Sequence, residues 1–399
     1  MRENRMTRNL AGKDTAEARL ERIPQGSGTE ERELPALSVG IKKRLRDFSL
    51  QLSFAAERGQ GGGCLGILGA SGCGKSMMLK SIAGIVQPDE GTICLNGRLL
   101  YDSASGVNLP PRKRRVGYLF QDYALFPNMT VEENITAGLK TGEYRRRGLP
   151  TGRDREARTA EMIRLFRLEG LEKQYPAKLS GGQKQRVALA RILCYEPEMI
   201  MLDEPFSAMD AHLRERLRLE MKEILREYSG LAVMVTHDRD EAYQLCDRLI
   251  LMDQGRIIGG GETKELFRSP GTVEAAVITG CKNISPIVRM GPRRVKALAW
   301  NVELTTEQTV DEGVTHIGIR AHDMISTEAG HDGAGENRVP TGRAQVWEMP
   351  FEWYVTLENG LWWKVPKHAG EYTHTFSVPE TLRIPAEAIL LLRTLQDAQ

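Results

Sequence analysis

The segment GGGCLGILGASGCGKSMMLKSIAGI, residues 61–85, constrains the fold of this chain more than any other stretch. A short apolar run leads into a loop that is rich in glycine, and a second apolar run follows with the spacing of a helix. Short apolar runs bounded by glycine are typical of buried strands, and apolar residues three and four apart are typical of helices. The segment therefore predicts a buried strand, a tight loop and a helix in direct succession.

From Gly69 the loop fits the pattern G-x-x-x-x-G-K-[ST], which is typical of phosphate-binding loops. Its glycines let successive backbone N–H groups turn inward around a phosphate, Lys75 adds a positive charge, and Ser76 offers a hydroxyl to Mg²⁺. The helix that follows directs its positive N-terminus at the same anion. A glycine-rich turn without a ligand is the alternative, but the strand before the loop and the helix after it favour the phosphate site. The predicted nucleotide-binding residues are Gly69, Ala70, Ser71, Gly72, Cys73, Gly74, Lys75, Ser76 and Met77.

A second acidic element occurs in EMIMLDEP, where an apolar run ends in Asp203 and Glu204. Such a run predicts a buried strand whose carboxyl end lies beside the glycine loop. Nucleotide hydrolysis needs one carboxylate for the Mg²⁺ shell and one to accept a proton from the attacking water. Without the glycine loop, the segment LDE would more often be the end of a strand with no catalytic role.

Strands and helices alternate around these motifs: EMIMLDE and LAVMVTHD are separated by the helical run DAHLRERLRLEMKEILREY. This alternation predicts a mostly parallel sheet with helices on its faces. The alternating segment LSVGIKKRLRDFSLQLSF predicts an antiparallel edge. The segment GTICLNGRLLYD predicts a strand with an Asn-Gly turn, and Thr130 with Glu133 predicts a capped helix start. Ala160, Ile163, Phe166 and Leu171 lie near one helical stripe and predict a small helical subdomain.

The segment LSGGQKQRVALAR, residues 179–191, places Ser180 and two glycines at a predicted helix start. These residues can cap the helix and present N–H donors to a γ-phosphate, although the same cap also works without a ligand. With the glycine loop and LDEP, the segment makes the chain resemble the ATP-binding subunit of an importer-type ABC transporter, closest to the molybdate and sulfate group.

The resemblance covers roughly residues 37–262 and implies an ATPase that converts ATP and water to ADP and phosphate, coupled to transport. In that family the signature motif faces the nucleotide of the other subunit, so it implies a head-to-tail dimer of this chain with two ATP molecules between the subunits. The signature residues are Leu179, Ser180, Gly181, Gly182 and Gln183.

The resemblance also implies roles for single residues. Glu204 corresponds to the general base, His237 to the histidine that contacts the γ-phosphate, and Lys75 to the lysine of the phosphate loop. Ser76, Gln121 and Asp203 correspond to the Mg²⁺ ligands, with Gln121 also relaying closure of the dimer to the membrane subunits. The D-loop comprises Ser207, Ala208, Met209 and Asp210, with methionine in place of the more usual leucine.

The adenine-stacking residue leaves two interpretations open. The family usually has an aromatic side chain about twenty residues before the glycine loop, and Phe48 lies near that place. Phe48 also fits an inward-facing strand residue.

The expected fold is therefore an α/β P-loop ATPase with an antiparallel β edge and a helical subdomain, followed by a small all-β, OB-like (TOBE-type) domain. Four of the five tryptophans cluster in the last part of the chain, among short strands and turns. The expected boundaries are a disordered tail over 1–36, the ATP-binding domain over 37–281 with its helical subdomain at about 122–195, and the β domain over 282–399.

Composition restricts the partners only weakly, because 55 Lys and Arg residues nearly balance 53 Asp and Glu residues. The six cysteines form no C-x-x-C pair and lie mostly in apolar runs, so we expect buried, reduced thiols. No apolar run is long enough for a signal peptide or a membrane span. We expect a protein at the cytoplasmic face of the membrane, held there by permease subunits and serving an extracytoplasmic binding protein indirectly, with no nucleic-acid partner.

The prediction of the transported substrate rests on resemblance alone. The segments NLPPRKRRVGYLFQDYALFPNMTVEENI and THIGIRAHDM resemble oxyanion importers, molybdate or tungstate first. Sulfate or thiosulfate, iron(III), polyamine and sugar importers are alternatives, and a soluble non-transport ABC ATPase is an alternative of another class. The aromatic segment VWEMPFEWYVTLENGLWWKVPK departs from the family pattern; it predicts either a ligand pocket or, as we favour, the core and partner surface of a small barrel.

Overall fold

A computed structural model describes residues 35–46, 48–57, 63–140, 152–207, 209–326, 337–367 and 376–395. Nearly all of the predicted tail lies outside these residues, as do Ala208 and positions 141–151 of the predicted helical subdomain.

The chain divides into two units by its internal contacts. The first comprises Met1–Leu65, Ser71–Val235 and Asp253–Ile257, and the second comprises Gly66–Ala70, Thr236–Met252 and Ile258–Gln399.

The described residues of the first unit contain nine strands and six α-helices. Two of these strands, β3 and β9, have their last residues in the second unit. The strands of the first unit are β1 (Leu37–Arg44), β2 (Ser49–Ala56), β3 (Cys64–Leu68), β4 (Glu90–Leu95), β5 (Arg98–Asp102), β6 (Val107–Asn108), β7 (Val116–Leu119), β8 (Met199–Asp203) and β9 (Leu231–Thr236). Its helices are α1 (Lys75–Ala83), α2 (Pro111–Arg114), α3 (Val131–Ala137), α4 (Gly152–Leu165), α5 (Gly181–Leu193) and α6 (Ala211–Glu227), with short 3₁₀ turns at Gly138–Lys140 and Pro176–Lys178.

The predicted antiparallel edge is present, in the strand order β6-β5-β4-β1-β2. Strand β2 alternates strictly between exposed and buried residues, which is the pattern of a sheet with one solvated face. Asn96 and Gly97 join β4 to β5 and both have positive φ, 49° and 72°. Two such residues fit the tight hairpin turn that Asn-Gly predicts.

The predicted parallel part of the sheet contains β7, β8 and β9. Strand β8 lies between the other two and pairs in parallel with both. Every residue of β8 and β9 is buried, as expected for strands with helices on both faces. Because the strands are parallel, their carboxyl ends meet at one edge, and Asp203 there pairs with Val235 of β9.

The helix starts follow the sequence closely. Thr130 and Glu133 form a capping box at α3, and Ser180 and Gln183 form one at α5. One prediction was wrong: α4 ends at Leu165, so Leu171 is not part of its apolar stripe.

Backbone geometry explains this early end of α4. Arg167 adopts a left-handed φ of 52°, and the N–H of Leu168 bonds back to the carbonyl of Ile163. These are features of a helix C-terminus, although the residue in the left-handed conformation is usually glycine. An arginine at this position gives no such signal in the sequence.

A fully buried arginine, Arg114, binds the C-terminal end of α1, the helix that starts at the glycine loop. Arg114 donates to the carbonyls of Ser81 and Ile82 in the last turn of α1, and to Leu109 O and Asn108 Oδ1. Burial lowers the pKa of Arg114 to about 10, so the guanidinium stays charged at neutral pH. It thereby supplies donors to two carbonyls at the end of the helix, of which that of Ser81 also accepts the N–H of Gly84.

The second unit contains three helices and thirteen strands in its described residues, of which β10 and β11 extend by a few residues into the first unit. They are α7 (Arg239–Leu245), β10 (Arg248–Asp253), β11 (Arg256–Glu262), α8 (Thr263–Arg268), α9 (Val273–Ile278), β12 (Asn283–Gly291), β13 (Arg294–Ala297), β14 (Val302–Thr305), β15 (His316–Ile319), β16 (Ile325–Ser326), β17 (Asn337–Pro340), β18 (Ala344–Glu348), β19 (Glu352–Leu357), β20 (Trp362–Pro366), β21 (Thr381–Ile384) and β22 (Ile389–Leu392), with a 3₁₀ turn at Ala386–Ala388.

From β12 onward the described elements are strands, apart from that turn, and they form one five-stranded and two three-stranded sheets. Strand β15 pairs with β12 on one side and with β22 on the other. The all-β, OB-like part of the predicted fold class is confirmed. The boundary at residue 282 stays a prediction.

The aromatic segment is divided between core and surface. Trp353 and Trp363 are buried and both pack against the ring of Phe376. Trp347 and Trp362 are 47% and 38% exposed, and their rings stack with centroids 6.4 Å apart. Two of these tryptophans therefore lie in the core, and the partner surface that the favoured prediction adds stays a prediction.

Two further observations bear on the sequence predictions. Five of the six cysteine side chains are buried and Cys94 is half-buried, as expected. Among the residues that the structure describes, no helix is both long and apolar enough to cross a membrane.

We predict that Arg114→Met lowers the free energy of unfolding of the full chain by about 3 kcal/mol, because it leaves several buried carbonyls without a donor. Chemical unfolding followed by circular dichroism measures the change. The neighbouring exposed variant Arg112→Met is the control and should unfold like the wild type. Equal unfolding midpoints for the two variants would show that the Arg114 hydrogen bonds contribute little.

Candidate functional site

The glycine loop begins where β3, buried along its whole length, ends at Leu68. In the first unit, Gly72 and Gly74 adopt left-handed φ angles of 81° and 105°, and α1 begins directly at Lys75. Residues other than glycine adopt such angles only with strain, so the sequence pattern is a requirement of the loop conformation. The predicted strand, loop and helix are all present in succession.

Lys75 is almost completely buried at the start of α1, with 4% of its surface exposed. Its Nζ lies 3.9 Å from the Sγ of Cys73 in the same loop. A lysine ammonium at the N-terminus of a helix adds positive charge where the helix dipole is already positive. This combination favours an anionic ligand over an empty structural turn.

The glycine loop and the LDE strand meet at one carboxylate. Ser76 Oγ donates to Asp203 Oδ1 at 2.7 Å, and Tyr118 Oη donates to Asp203 Oδ2 at 2.7 Å. Burial, together with the bond to Asp203, raises the pKa of Tyr118 well above its usual value, so the phenol keeps its proton and acts as a donor. The sequence predicted that the strand ending in Asp203 lies beside the glycine loop, but it gave no sign of Tyr118.

Glu204 follows in a strained backbone conformation. Its φ is 46°, a left-handed value that is uncommon for residues other than glycine. The backbone is held there because the N–H of Glu204 bonds to Val235 O and its carbonyl accepts the hydroxyl of Ser207 at 3.0 Å. Strain of this kind concentrates at functional sites, where it fixes the direction of a side chain.

Gln121 follows β7 and reaches the segment after Glu204. Its Nε2 donates to Ser207 Oγ at 3.1 Å, which joins the predicted Q-loop to the predicted D-loop. Met209 of the D-loop is buried, and Asp210 caps α6 by accepting from the N–H of Leu213. A methionine fills the space of the usual leucine here with little change in volume.

The signature segment forms the exposed start of α5. Ser180 accepts from the N–H of Gln183, and both Ser180 and Gly181 are exposed while Leu179 is buried. At the next turn, Gln185 donates to the carbonyl of Pro205 at 3.3 Å, directly after the LDE strand. The signature helix is therefore tied to the carboxylate segment from within the same unit.

Arg191, at the end of the signature segment, has a role that sequence reasoning missed. It donates to the carbonyls of Tyr123 and Ala124, at 3.0 and 2.8 Å. These two residues have positive φ angles of 63° and 43° and directly follow the Q-loop. Arg191 therefore holds a strained turn whose position no sequence motif indicated.

Phe48 lies beside the glycine loop and not inside a strand. It precedes β2, is half-buried, and its ring packs against the backbone of Gly255. The N–H of Gly255 in turn bonds to the carbonyl of Cys73, at 3.0 Å. Phe48 therefore does not lie in a strand, and its role in adenine stacking stays a prediction.

His237 belongs to the second unit, directly after β9. Its side chain is exposed, between two residues that fix the backbone: Thr236 bonds to Glu241, and Asp238 caps α7. Gly69 and Ala70, at the start of the glycine loop, also belong to the second unit.

The residues present fit a bound Mg²⁺. Mg²⁺ prefers oxygen ligands and usually takes one or two protein groups together with phosphate oxygens. Ser76 and Asp203 already place a hydroxyl and a carboxylate oxygen 2.7 Å apart, so both can face one cation. Gln121 uses its amide nitrogen for Ser207, which leaves the amide oxygen as the atom for a metal.

Known proteins share this arrangement of motifs. The family model described as ABC transporter matches residues 51–207. Among solved structures, CbiO1 of Clostridium perfringens, described as part of the ABC transporter complex CbiONQ, superposes with a TM-score of 0.50 at 26% identity, over 59% of this chain and 91% of that chain.

Three curated relatives are import ATP-binding proteins that differ in the substrate they are named for. The sulfate/thiosulfate protein CysA 2 of Agrobacterium fabrum is 36% identical, over 74% of this chain and 84% of its own length. The molybdate/tungstate protein WtpC of Thermococcus kodakarensis is 39% identical, over 72% and 82%. The Fe(3+) protein FbpC 2 of Haemophilus influenzae is 40% identical, over 59% and 63%.

We predict that Cys73 reacts with N-ethylmaleimide more slowly in the native chain than in the denatured chain, and that bound ATP slows it further. Burial raises the pKa of the Cys73 thiol against the opposing charge of Lys75, so little reactive thiolate exists at neutral pH. The rate should keep rising as the pH passes the pKa of an ordinary cysteine. Mass spectrometry of the Cys73 peptide measures this, and a native rate equal to the denatured one would contradict the buried loop.

Proposed function

The chain belongs to the ABC transporter family as an importer-type ATP-binding subunit, and from this premise we propose that it powers the uptake of an oxyanion, molybdate or tungstate. It is an ATPase that binds ATP. The observation that carries the catalytic part is the contact between Ser76 of the phosphate loop and Asp203 of the LDE strand. The oxyanion is supported by the substrates named for two relatives that this chain covers over most of their length.

In the proposed mechanism the phosphates of ATP lie on the glycine loop. The backbone N–H groups and Lys75 would hold the β- and γ-phosphates, and Ser76 and Asp203, with Gln121, would hold the Mg²⁺. When bound, the Mg²⁺ neutralises charge on the phosphate oxygens. Phe48 stacks on the adenine.

Glu204 is the general base of the proposed reaction. Its left-handed backbone and the two hydrogen bonds around it fix the carboxylate at the end of β8. The carboxylate accepts a proton from the water that attacks the γ-phosphate. The resemblance assigns His237 to contact with the γ-phosphate.

The second half of each ATP site comes from a second copy of the chain. The exposed start of α5 presents Ser180 and the neighbouring N–H groups to solvent, where a partner's γ-phosphate can meet them. Two copies arranged head to tail then enclose two ATP molecules. Closure is coupled to the rest of the subunit because Gln185 and Arg191 tie α5 to the carboxylate segment and to the Q-loop turn.

The permease subunits dock on the surface that follows the Q-loop. Phe126 is 47% exposed there, with the guanidinium of Arg191 over its ring at 5.2 Å. The fully buried Asn134 bonds to the backbone of Phe126, Met129 and Thr130, which makes this loop rigid. A rigid, partly apolar loop suits a short helix of a membrane subunit, and it would hold this chain at the cytoplasmic face of the membrane.

For the domains we keep the boundaries expected from the sequence as a proposal: an ATP-binding domain over 37–281, with a helical subdomain at about 122–195, and an OB-like domain over 282–399. A binding protein outside the membrane would deliver the substrate to the permease. The named substrates of other relatives make sulfate, thiosulfate and iron(III) the alternative cargoes.

We predict that Glu204→Gln traps an ATP-bound dimer. The substitution removes the base while it keeps the shape of the side chain and all donors to the phosphates, so hydrolysis should fall by on the order of 100-fold or more while ATP still binds. Size-exclusion chromatography with light scattering measures the dimer in ATP. The exposed variant Glu227→Gln is the control, and a monomeric Glu204→Gln chain in ATP argues against the shared site.

We predict that the ATPase rate of the transporter, reconstituted with its permease and binding protein, rises when the binding protein is loaded with molybdate or tungstate. Sulfate, thiosulfate, iron(III), a polyamine and a sugar are compared in the same assay. Stimulation by iron(III) alone, or by the polyamine or sugar alone, would overturn the oxyanion proposal without affecting the ATPase assignment.

A further inference from the structure

Asp203 is held from two sides by neutral hydroxyl donors. Its side chain is 6% exposed, Oδ1 accepts from Ser76 and Oδ2 accepts from Tyr118, each at 2.7 Å. A carboxylate that accepts a single hydrogen bond can still rotate about its terminal torsion angle, because the distribution of that angle is broad. A second donor on the other oxygen removes this freedom.

The position of Tyr118 follows from the parallel pairing of β7 and β8. Tyr118 is directly opposite Met201, and Asp203 lies two residues further along β8 on the same face. A tyrosine side chain is long enough to reach along the sheet to that neighbour. The ring of Phe120, with its centroid 4.3 Å from that of Tyr118, packs against the tyrosine and restricts its ring.

We propose that Tyr118 is a positioning residue for the metal-binding carboxylate. Its hydroxyl occupies Oδ2 of Asp203, so that Oδ1 faces Ser76 and the Mg²⁺ of the bound nucleotide. This inference rests on the proposed function, because it assigns Asp203 and Ser76 to the metal. Partners of metal ligands commonly act in this way by fixing the orientation of the ligand.

The loop that follows β7 supports the backbone of Glu204 by a separate route. Gln121, three residues after Tyr118, bonds to Ser207, and Ser207 bonds to the carbonyl of Glu204. Strand β7 thus supplies a tether to the metal-binding carboxylate, and the loop after it supplies another to the segment of the base. Removing the Tyr118 hydroxyl should affect the metal and leave the second tether in place.

A purely structural hydrogen bond is the competing explanation, and the chain offers a matched control. Tyr101 is also buried, 2% exposed, and its hydroxyl donates to the carbonyl of Pro88 at 2.7 Å. Tyr101→Phe removes a buried phenol hydrogen bond of the same length, with no metal-binding group as the acceptor. Tyr118→Phe and Tyr101→Phe therefore lose similar bonds at different places.

The test measures ADP binding to the full chain by calorimetry, in EDTA and at graded MgCl₂, because ADP is not hydrolysed. For Tyr118→Phe we expect unchanged ADP affinity in EDTA and about a tenfold higher MgCl₂ concentration for half-maximal enhancement of binding. Replacing MgCl₂ with MnCl₂ and recording the electron paramagnetic resonance of free Mn²⁺ should give the same shift. Tyr101→Phe should match the wild type in both measurements.

Two results would overturn the inference. The first is an identical MgCl₂ dependence in Tyr118→Phe and the wild type, and the second is an equal loss of ADP affinity with and without metal. Failure of the proposed function is separate from both, since it would appear as a wild-type chain whose ADP binding does not respond to MgCl₂ at all.

Discussion

The hydrogen bond between Ser76 and Asp203 joins the two parts of the chain that carry its chemistry. One partner begins the helix after the glycine loop, and the other ends a buried strand 127 residues further along. Asp203 is buried and a buried carboxylate needs donors, which Ser76 and Tyr118 supply. The remaining contacts of the first unit place these two groups at one edge of the sheet and keep them there.

Those contacts form two layers around the carboxylates. Tyr118 and Gln121 reach from β7 and its end to the Asp203–Ser207 segment, and Gln185 reaches the same segment from the signature helix. Further out, Arg191 holds the strained turn after the Q-loop, and Arg114 closes the far end of α1. Because each tether ends on backbone or on a group of the site, movement of one element is transmitted directly to the others.

Sequence reasoning was most accurate where the local backbone conformation or a helix terminus requires a particular residue type. Glycine at positions 72 and 74 is required by left-handed backbone, and Asn96-Gly97 by a tight hairpin, so both were visible in advance. Capping residues such as Thr130 and Ser180 were equally clear, since their side chains satisfy N–H groups only three residues away. The end of α4 was missed because a left-handed arginine, Arg167, replaces the expected glycine.

The sequence by itself determined the local motifs: the strand, loop and helix around Lys75, the buried strand that ends in Asp203 and Glu204, and the capped signature helix. Only the tertiary structure decided which distant side chains complete them. Tyr118, Arg191 and Arg114 have ordinary sequence surroundings, and their roles depend on long side chains that cross from one element to another. Local patterns record the hydrogen bonds that a segment makes with itself, whereas a bond between segments far apart in the chain exists only once the sheet has set their register.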